Sequence, residues 1–257
     1  MLSQTISIPN TPNVSLVAFY GTKPTALKSF TESLQTRISE ALDNSFECYP
    51  LEQVHATIIG CEGLKTEKGI LSKWFLEHRG EERYIKLADF INYVRQSDRL
   101  PIHVKIGGYD PKIDYGFLSQ NKHPFERSFQ FLGNIAVSIG WSLRERKISR
   151  DLDCFRLECQ NFNLLHKYHK HPNSVDNDCY MRIGVIKGKV DDKKIKKIER
   201  EIQNSLRNMS PVHLSIGFDN LKFIRYQDLA PSPDKTQAIS LKNATEDKVE
   251  KLYPSRL

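Results

Sequence analysis

A pattern of strand, helix and strand occurs twice in this chain with one apolar spacing, and that repetition narrows the folds open to it more than any other feature. In the first copy, Val14 to Tyr20 is a β-rich run stopped by Gly21. A helix then opens at Pro24 and carries Leu27, Phe30, Leu34, Ile38 and Ala41 at helical spacing. Val54 to Gly60 closes the unit as a second strand. In the second copy a strand over Tyr180 to Ile186 ends near Gly188. A helix with Ile195, Ile198, Ile202, Leu206 and Met209 follows, and then the strand Val212 to Gly217. The helical steps are the same in both copies. Ile195 follows Leu27 by 168 residues and His213 follows His55 by 158, so the first copy holds a loop-sized insertion of ten residues. A spacing match between two core-facing helices is weak by itself. The flanking strands, each stopped by glycine or bearing the same polar insertions, make it a duplicated βαβ-like unit.

Between the copies, Thr66 to Gln96 reads as helical, with Trp74, Phe75, Tyr84, Leu87, Phe90 and Ile91 as core contacts. Strands are expected at Ile102 to Ile106 and Phe129 to Val137, turn chemistry at Gly107 to Pro111, and a helix over Asp153 to Tyr168. Leu221 to Tyr226 reads as the hairpin partner of the second histidine strand, joined through Asp219-Asn220. The polar, proline-bearing segment 231–257 reads as a peripheral tail.

Composition sets outer bounds. With 39% hydrophobic and 27% charged residues, the 257-residue chain is expected to fold around a sizeable core. No run approaches the roughly 18 apolar residues of a membrane span, and the N-terminus has no signal-peptide pattern, so a cytoplasmic monomer without membrane contact is expected. The five cysteines lack CxxC spacing and read as reduced thiols rather than a disulfide framework or zinc ribbon. A net charge of +7 favours an anionic partner, nucleotide or RNA, without saying where it binds.

The chemistry-bearing residues lie on the strands that close the two copies. Side chains at i and i+2 share a strand face, so His55 and Thr57 point one way and Val54, Ala56 and Ile58 the other. His213 and Ser215 repeat the arrangement against Val212, Leu214 and Ile216. Brought together, two histidines and two hydroxyls suit phosphate ester chemistry. One imidazole takes a proton, the other gives one, and the hydroxyls donate to nonbridging oxygens. None of the other six histidines has Ser or Thr two residues on.

The paired elements Val54-His55-Ala56-Thr57-Ile58 and Val212-His213-Leu214-Ser215-Ile216 resemble the motifs of the two-histidine (2H) phosphoesterase superfamily, which includes LigT-like RNA 2′,5′ ligase/phosphodiesterases and cyclic nucleotide phosphodiesterases. The resemblance implies an α+β, bilobal, duplicated fold over residues 1–230, with two antiparallel sheets flanking a central cleft and helices outside. It implies metal-independent cleavage of a 2′,3′-cyclic phosphate or related ribose phosphodiester, with no cofactor. By it His55 and His213 are the acid/base pair, in an order the pseudo-symmetry leaves open, and Thr57 and Ser215 hold the phosphate. The chain between the copies, 61–179, is longer than in compact members. The rival reading is a nucleotide- or RNA-binding protein on the same fold that does not cleave.

Weaker features surround these. Arg182 is a candidate phosphate partner, and Tyr20, Tyr49, Tyr115 and Tyr180 are candidates to stack on a base. His166, His169 and His171 invite a metal reading, but strand and helix geometries cannot both align them and no carboxylate follows until Asp176, so a solvated helix end is the preferred reading. Lys193, Lys194, Lys196 and Lys197 read as the outer face of a packed helix. Arg144, Arg146, Lys147 and Arg150 form a further basic patch.

Overall fold

Apolar alternation along the strands, met by the apolar stripes of two long helices, organises the chain into an α+β protein built on a large antiparallel sheet. The computed structural model describes residues 14–226 and 233–253. In chain order the elements are β1 (Val14–Ala18), α1 (Thr25–Leu42), β2 (Phe46–Cys48), β3 (Ala56–Gly60), β4 (Gly63–Thr66), β5 (Gly69–Ser72), α2 (Lys73–Arg79), α3 (Leu87–Gln96) and β6 (Ile102–Ile106). They continue with α4 (Pro124–Arg127), β7 (Phe129–Leu132), β8 (Ile135–Arg144), β9 (Lys147–Ile148), α5 (Asp151–Glu158), β10 (Asp178–Ile186), α6 (Asp192–Asn208), β11 (Val212–Ile216), β12 (Leu221–Arg225), β13 (Gln237–Ser240) and α7 (Glu246–Glu250). No helix among the described residues is long and apolar enough to cross a membrane.

The main sheet runs β11-β6-β8-β10-β3-β1-β12-β13, with β2 against β10 and β7 and β9 against β8, while β4 and β5 form a separate hairpin. One side of it is apolar. Leu16 and Ala18, Ala56, Met181 and Ile183, Val104 and Ile106, Leu214 and Ile216, and Phe223 join one core with Leu27, Phe30, Leu34 and Ile38 of α1 and Ile198, Ile202 and Leu206 of α6. Pro24 precedes α1 at φ −55°, preset for a helix start. Asp191 caps α6 by accepting from the Lys194 amide at 3.1 Å. The lysines 193, 194, 196 and 197 stand on the exposed side of α6.

The seam between β3 and β10 is the weakest join in the sheet. These strands share a single pair, Met181 with Ala56, whereas β10 pairs with β8 along most of its length. Above that pair the strands splay, and Arg156 of α5 fills the opening. Its Nη2 donates to Thr57 O at 2.9 Å and Asp178 O at 3.1 Å, its Nε to Ile58 O at 2.8 Å, and its Nη1 to Asp176 O at 2.9 Å. A register shift of β3 on β1, where Leu16 faces Ile59 and Val17 faces Thr57, leaves Ile58 as the extra residue of a bulge. The bulge keeps Thr57 and Gly60 on one face while Ile58 and Ile59 are both buried.

Several expectations are corrected. The two separate sheets are one connected sheet. The two strand–helix–strand units keep their order of elements but not their pairing, because β1 lies directly on β3 while β8 and β6 separate β10 from β11. β12 pairs with β1 and β13 rather than hairpinning onto β11, since the turn at Phe218–Asn220 carries it to the other half of the sheet. The segment 66–96 begins in the β4–β5 hairpin, where the Thr66 hydroxyl donates to Gly69 O at 2.8 Å, and becomes helical only from Lys73. Phe129 to Val137 is broken into β7 and β8 by a turn at Gly133, whose φ of +60° suits glycine. The helix expected to Tyr168 stops at Glu158 and tightens to a 3-10 turn ending before Asn163, which is left-handed. Residues 233–253 are not peripheral. They add β13 to the sheet and bury Leu241, Val249, Leu252 and Tyr253, while Pro231, Ser232 and 254–257 of that tail lie outside the described residues.

Candidate functional site

The Met181 and Ala56 pair turns both its side chains into the core, so their neighbours face the other way. His55 and Thr57 flank Ala56, and Tyr180 and Arg182 flank Met181. All four line a cavity of about 380 Å³ over the splayed seam. Its walls also include Ser15, Gly60, Glu62, Trp74, Arg156 and Tyr226, with Leu132, Lys167 and Tyr168 among its other residues.

His55 is half-buried and its Nδ1 lies 2.6 Å from Gln53 O. A carbonyl only accepts, so Nδ1 carries the proton and Nε2 keeps its lone pair. Burial, with the Arg182 and Lys23 charges adding to it, lowers the imidazole to about 4 despite the Gln53 bond. His55 is therefore neutral at pH 7 and configured as a proton acceptor. Burial likewise lowers Lys23 to about 8, while its Nζ donates to Phe19 O at 2.5 Å and Gly21 O at 2.8 Å. The Tyr20 ring meets His55 edge-on with centroids 5.9 Å apart. Tyr20 packs against the catalytic candidate without lining the cavity.

At the other end, Glu62 is 7% exposed and its Oε2 accepts from Trp74 Nε1 at 2.8 Å. Burial raises its carboxyl, against the Trp74 bond and the charges of Lys73 and Lys167. Gly60 is what lets this carboxylate fold back over β3, because a Cβ there would stand 2.1 Å from Oε2. Between the ends, His166 is buried and its Nε2 lies 2.8 Å from Asp176 Oδ2. Burial and the Arg156 charge lower His166 to about 4, so Nε2 donates to Asp176, and Nδ1 has no hydrogen-bond partner.

The four motif residues are not brought together. His213 and Ser215 are exposed on β11, opposite Lys105 and His103 of β6, and neither lines the cavity. β6, β8 and β10 stand between β11 and β3 in the sheet order. The intervening face is filled by Tyr109, Phe117 and Trp141, with Tyr115 against Tyr109. By contrast, Arg182 and Tyr180 do join His55 and Thr57. Tyr49 is buried in the main core and Tyr115 belongs to the cluster beside Trp141.

The histidine cluster is not a solvated helix end. His166 and His169 turn inward, His169 Nε2 standing 3.0 Å from Asp153 Oδ1, while His171 is exposed. No group of three or more His, Cys, Asp or Glu side chains that could hold a metal occurs among the described residues.

Sequence reasoning missed Glu62, Trp74, Arg156, Lys167 and Tyr168 as wall residues. A signal existed for one side of the cavity, since Asp178, Tyr180 and Arg182 alternate with Cys179, Met181 and Ile183 as half-buried strands do. None existed for Glu62, whose side chain reaches the cavity only through the bulge and the bare Cα of Gly60.

No protein-family model matches the chain, and no curated protein matches it in sequence. Among solved structures it is similar to the crystal structure of TT0787 of Thermus thermophilus, with a TM-score of 0.44 and 10% identity over 88% of this chain and 93% of that one.

Proposed function

We propose that the cavity binds the phosphate of a nucleotide or RNA phosphodiester, such as a 2′,3′-cyclic phosphate, and that His55 acts there as the general base of its hydrolysis. The observation that carries this reading is the register of Met181 on Ala56, which puts His55 and Thr57 beside Arg182 and Tyr180 over one cavity. A guanidinium and a hydroxyl suit the nonbridging oxygens of a phosphate, whose charge grows in the transition state. His55 Nε2 takes a proton from the attacking water as the new phosphorus–oxygen bond forms, and the leaving ribose oxygen is protonated from solvent at the open mouth. The two-lobed 2H arrangement enters this reading in modified form. In it the seam between β3 and β10 serves as the cleft, and Tyr180 and Arg182 take the part of a second motif.

The position of His213 favours one rival. With only one motif histidine at the cavity, the protein binds a nucleotide without turning it over. Hydrolysis of 2′,3′-cyclic nucleotides by wild type, His55→Ala, Arg182→Ala and His213→Ala separates these readings. The proposed one requires turnover that falls on the order of 10² to 10⁴-fold in His55→Ala and is retained in His213→Ala. Tight binding with no turnover in the wild type selects the rival, and full activity in His55→Ala overturns the assignment of the base.

A further inference from the structure

The cavity carries different groups at its two ends. Arg182 lines it with His55, which also feels the Lys23 charge, while Glu62 lies over Gly60 with Trp74, Ser15 and Tyr226 in the same wall and the Lys167 charge acting on it. From Thr57 to Gly60, over which the Glu62 carboxylate lies, β3 spans about 10 Å. That length accommodates a nucleotide with its phosphate at Arg182 and the edge of its base at Glu62. Building on the phosphate reading, we propose that Glu62 recognises the base and selects guanine.

The chemistry of the edges decides between the bases. Guanine presents two adjacent N–H donors, at N1 and N2, in the plane where a carboxylate offers two acceptors. Adenine and cytosine place a ring acceptor beside their amino group, which an ionised carboxylate repels, and uracil offers one N–H between two carbonyls. Trp74 Nε1 donates to Oε2 at 2.8 Å and so holds that oxygen before a ligand arrives. Glu62 is 7% exposed, so its contacts with a bound base would be made largely out of water, where a mismatched partner is costly. Burial raises the Glu62 carboxyl, and the Trp74 bond with the charges of Lys73 and Lys167 works against that, toward the ionised form this recognition needs.

The test is equilibrium binding of guanosine, inosine and adenosine 3′-monophosphates, which carry no diester to be hydrolysed, and of inorganic phosphate to wild type and Glu62→Gln. Inosine lacks the 2-amino group and isolates one of the two donors. Wild type is expected to hold the guanosine compound roughly 10-fold or more tighter than the other two, in line with the discrimination of a bidentate base contact. Glu62→Gln is expected to lose that preference while its affinity for inorganic phosphate stays the same, which also shows that the variant is folded. Equal binding of the three nucleotides by wild type, a preference for adenosine, or a guanine preference that survives Glu62→Gln overturns the proposal and leaves the phosphate reading standing. Failure of wild type to bind any of the nucleotides or phosphate defeats both.

Discussion

The guanidinium of Arg156 holds the backbone of Thr57: Nη2 donates to Thr57 O at 2.9 Å while the same nitrogen reaches Asp178 O at 3.1 Å on the facing strand. One side chain from α5 thus ties together two strands that share a single pair of their own. The floor of the cavity rests on this tie, because Thr57 and Asp178 both line it.

Replacing Arg156 with methionine removes its bonds to four carbonyls and the nearby charge that faces the buried Asp176, 3.6 Å from Nη1. Breaking a buried pair by removing one partner typically costs about 3–5 kcal/mol. Arg156→Met is expected to lose stability on that scale in urea denaturation monitored by circular dichroism. A loss under about 1 kcal/mol, the scale of an exposed ion pair, would show that the seam holds without it.

On the proposed reading, the rate of phosphodiester cleavage should follow the neutral form of His55 with a single acid limb. In the free protein burial and the charges of Arg182 and Lys23 hold the imidazole at about 4, so kcat/KM should be flat through neutrality and fall only as pH drops through about 4. A bound phosphate brings negative charge to the same place and offsets Arg182 and Lys23. The acid limb of kcat should therefore lie at higher pH than that of kcat/KM. A bell-shaped kcat/KM profile with a second, basic limb near neutrality would instead require a general acid beside His55.

What the sequence discloses and what it conceals divide along a physical line. Elements set by local periodicity were legible: the stripe of Leu27, Phe30, Leu34 and Ile38 is α1, and the alternation of His55 and Thr57 against Ala56 is preserved at the entry to β3, His55 standing just before the strand. Strand pairing was not legible, because alternation says which residues share a face and nothing about which strand lies alongside. His213 and Ser215 have the alternation of His55 and Thr57, yet β6 and β8 separate their strand from β10. Arg182 stood out by residue type and strand position, and the structure places it in the cavity wall. Glu62 was hidden because its place depends on a bulge, a glycine and a tryptophan acting together. His166 and His169 read as surface residues for want of nearby carboxylates, and their partners Asp176 and Asp153 come from either side of them in the chain.

Stability toward acid follows from histidines buried in the neutral form. His55 and His166 both sit near 4 in the folded chain, in each case chiefly through burial, against about 6.5 when unfolded. Between these values the unfolded chain binds protons that the folded chain does not, so stability falls as pH is lowered from about 6.5 to about 4. For the well-buried His166 the slope approaches about 1.4 kcal/mol per pH unit within that window. Asp176 does not offset it. Burial works against its charge, but Arg156 and the bond from His166 outweigh burial and hold the carboxyl well below the usual carboxylate range, so it stays ionised throughout. Thermal unfolding between pH 7 and pH 4.5 should show a falling midpoint. His166→Asn, which keeps a donor toward Asp176 but has no proton to gain, should flatten that fall while lowering the midpoint at pH 7. An unchanged slope in the variant would mean that His166 is not the group responsible.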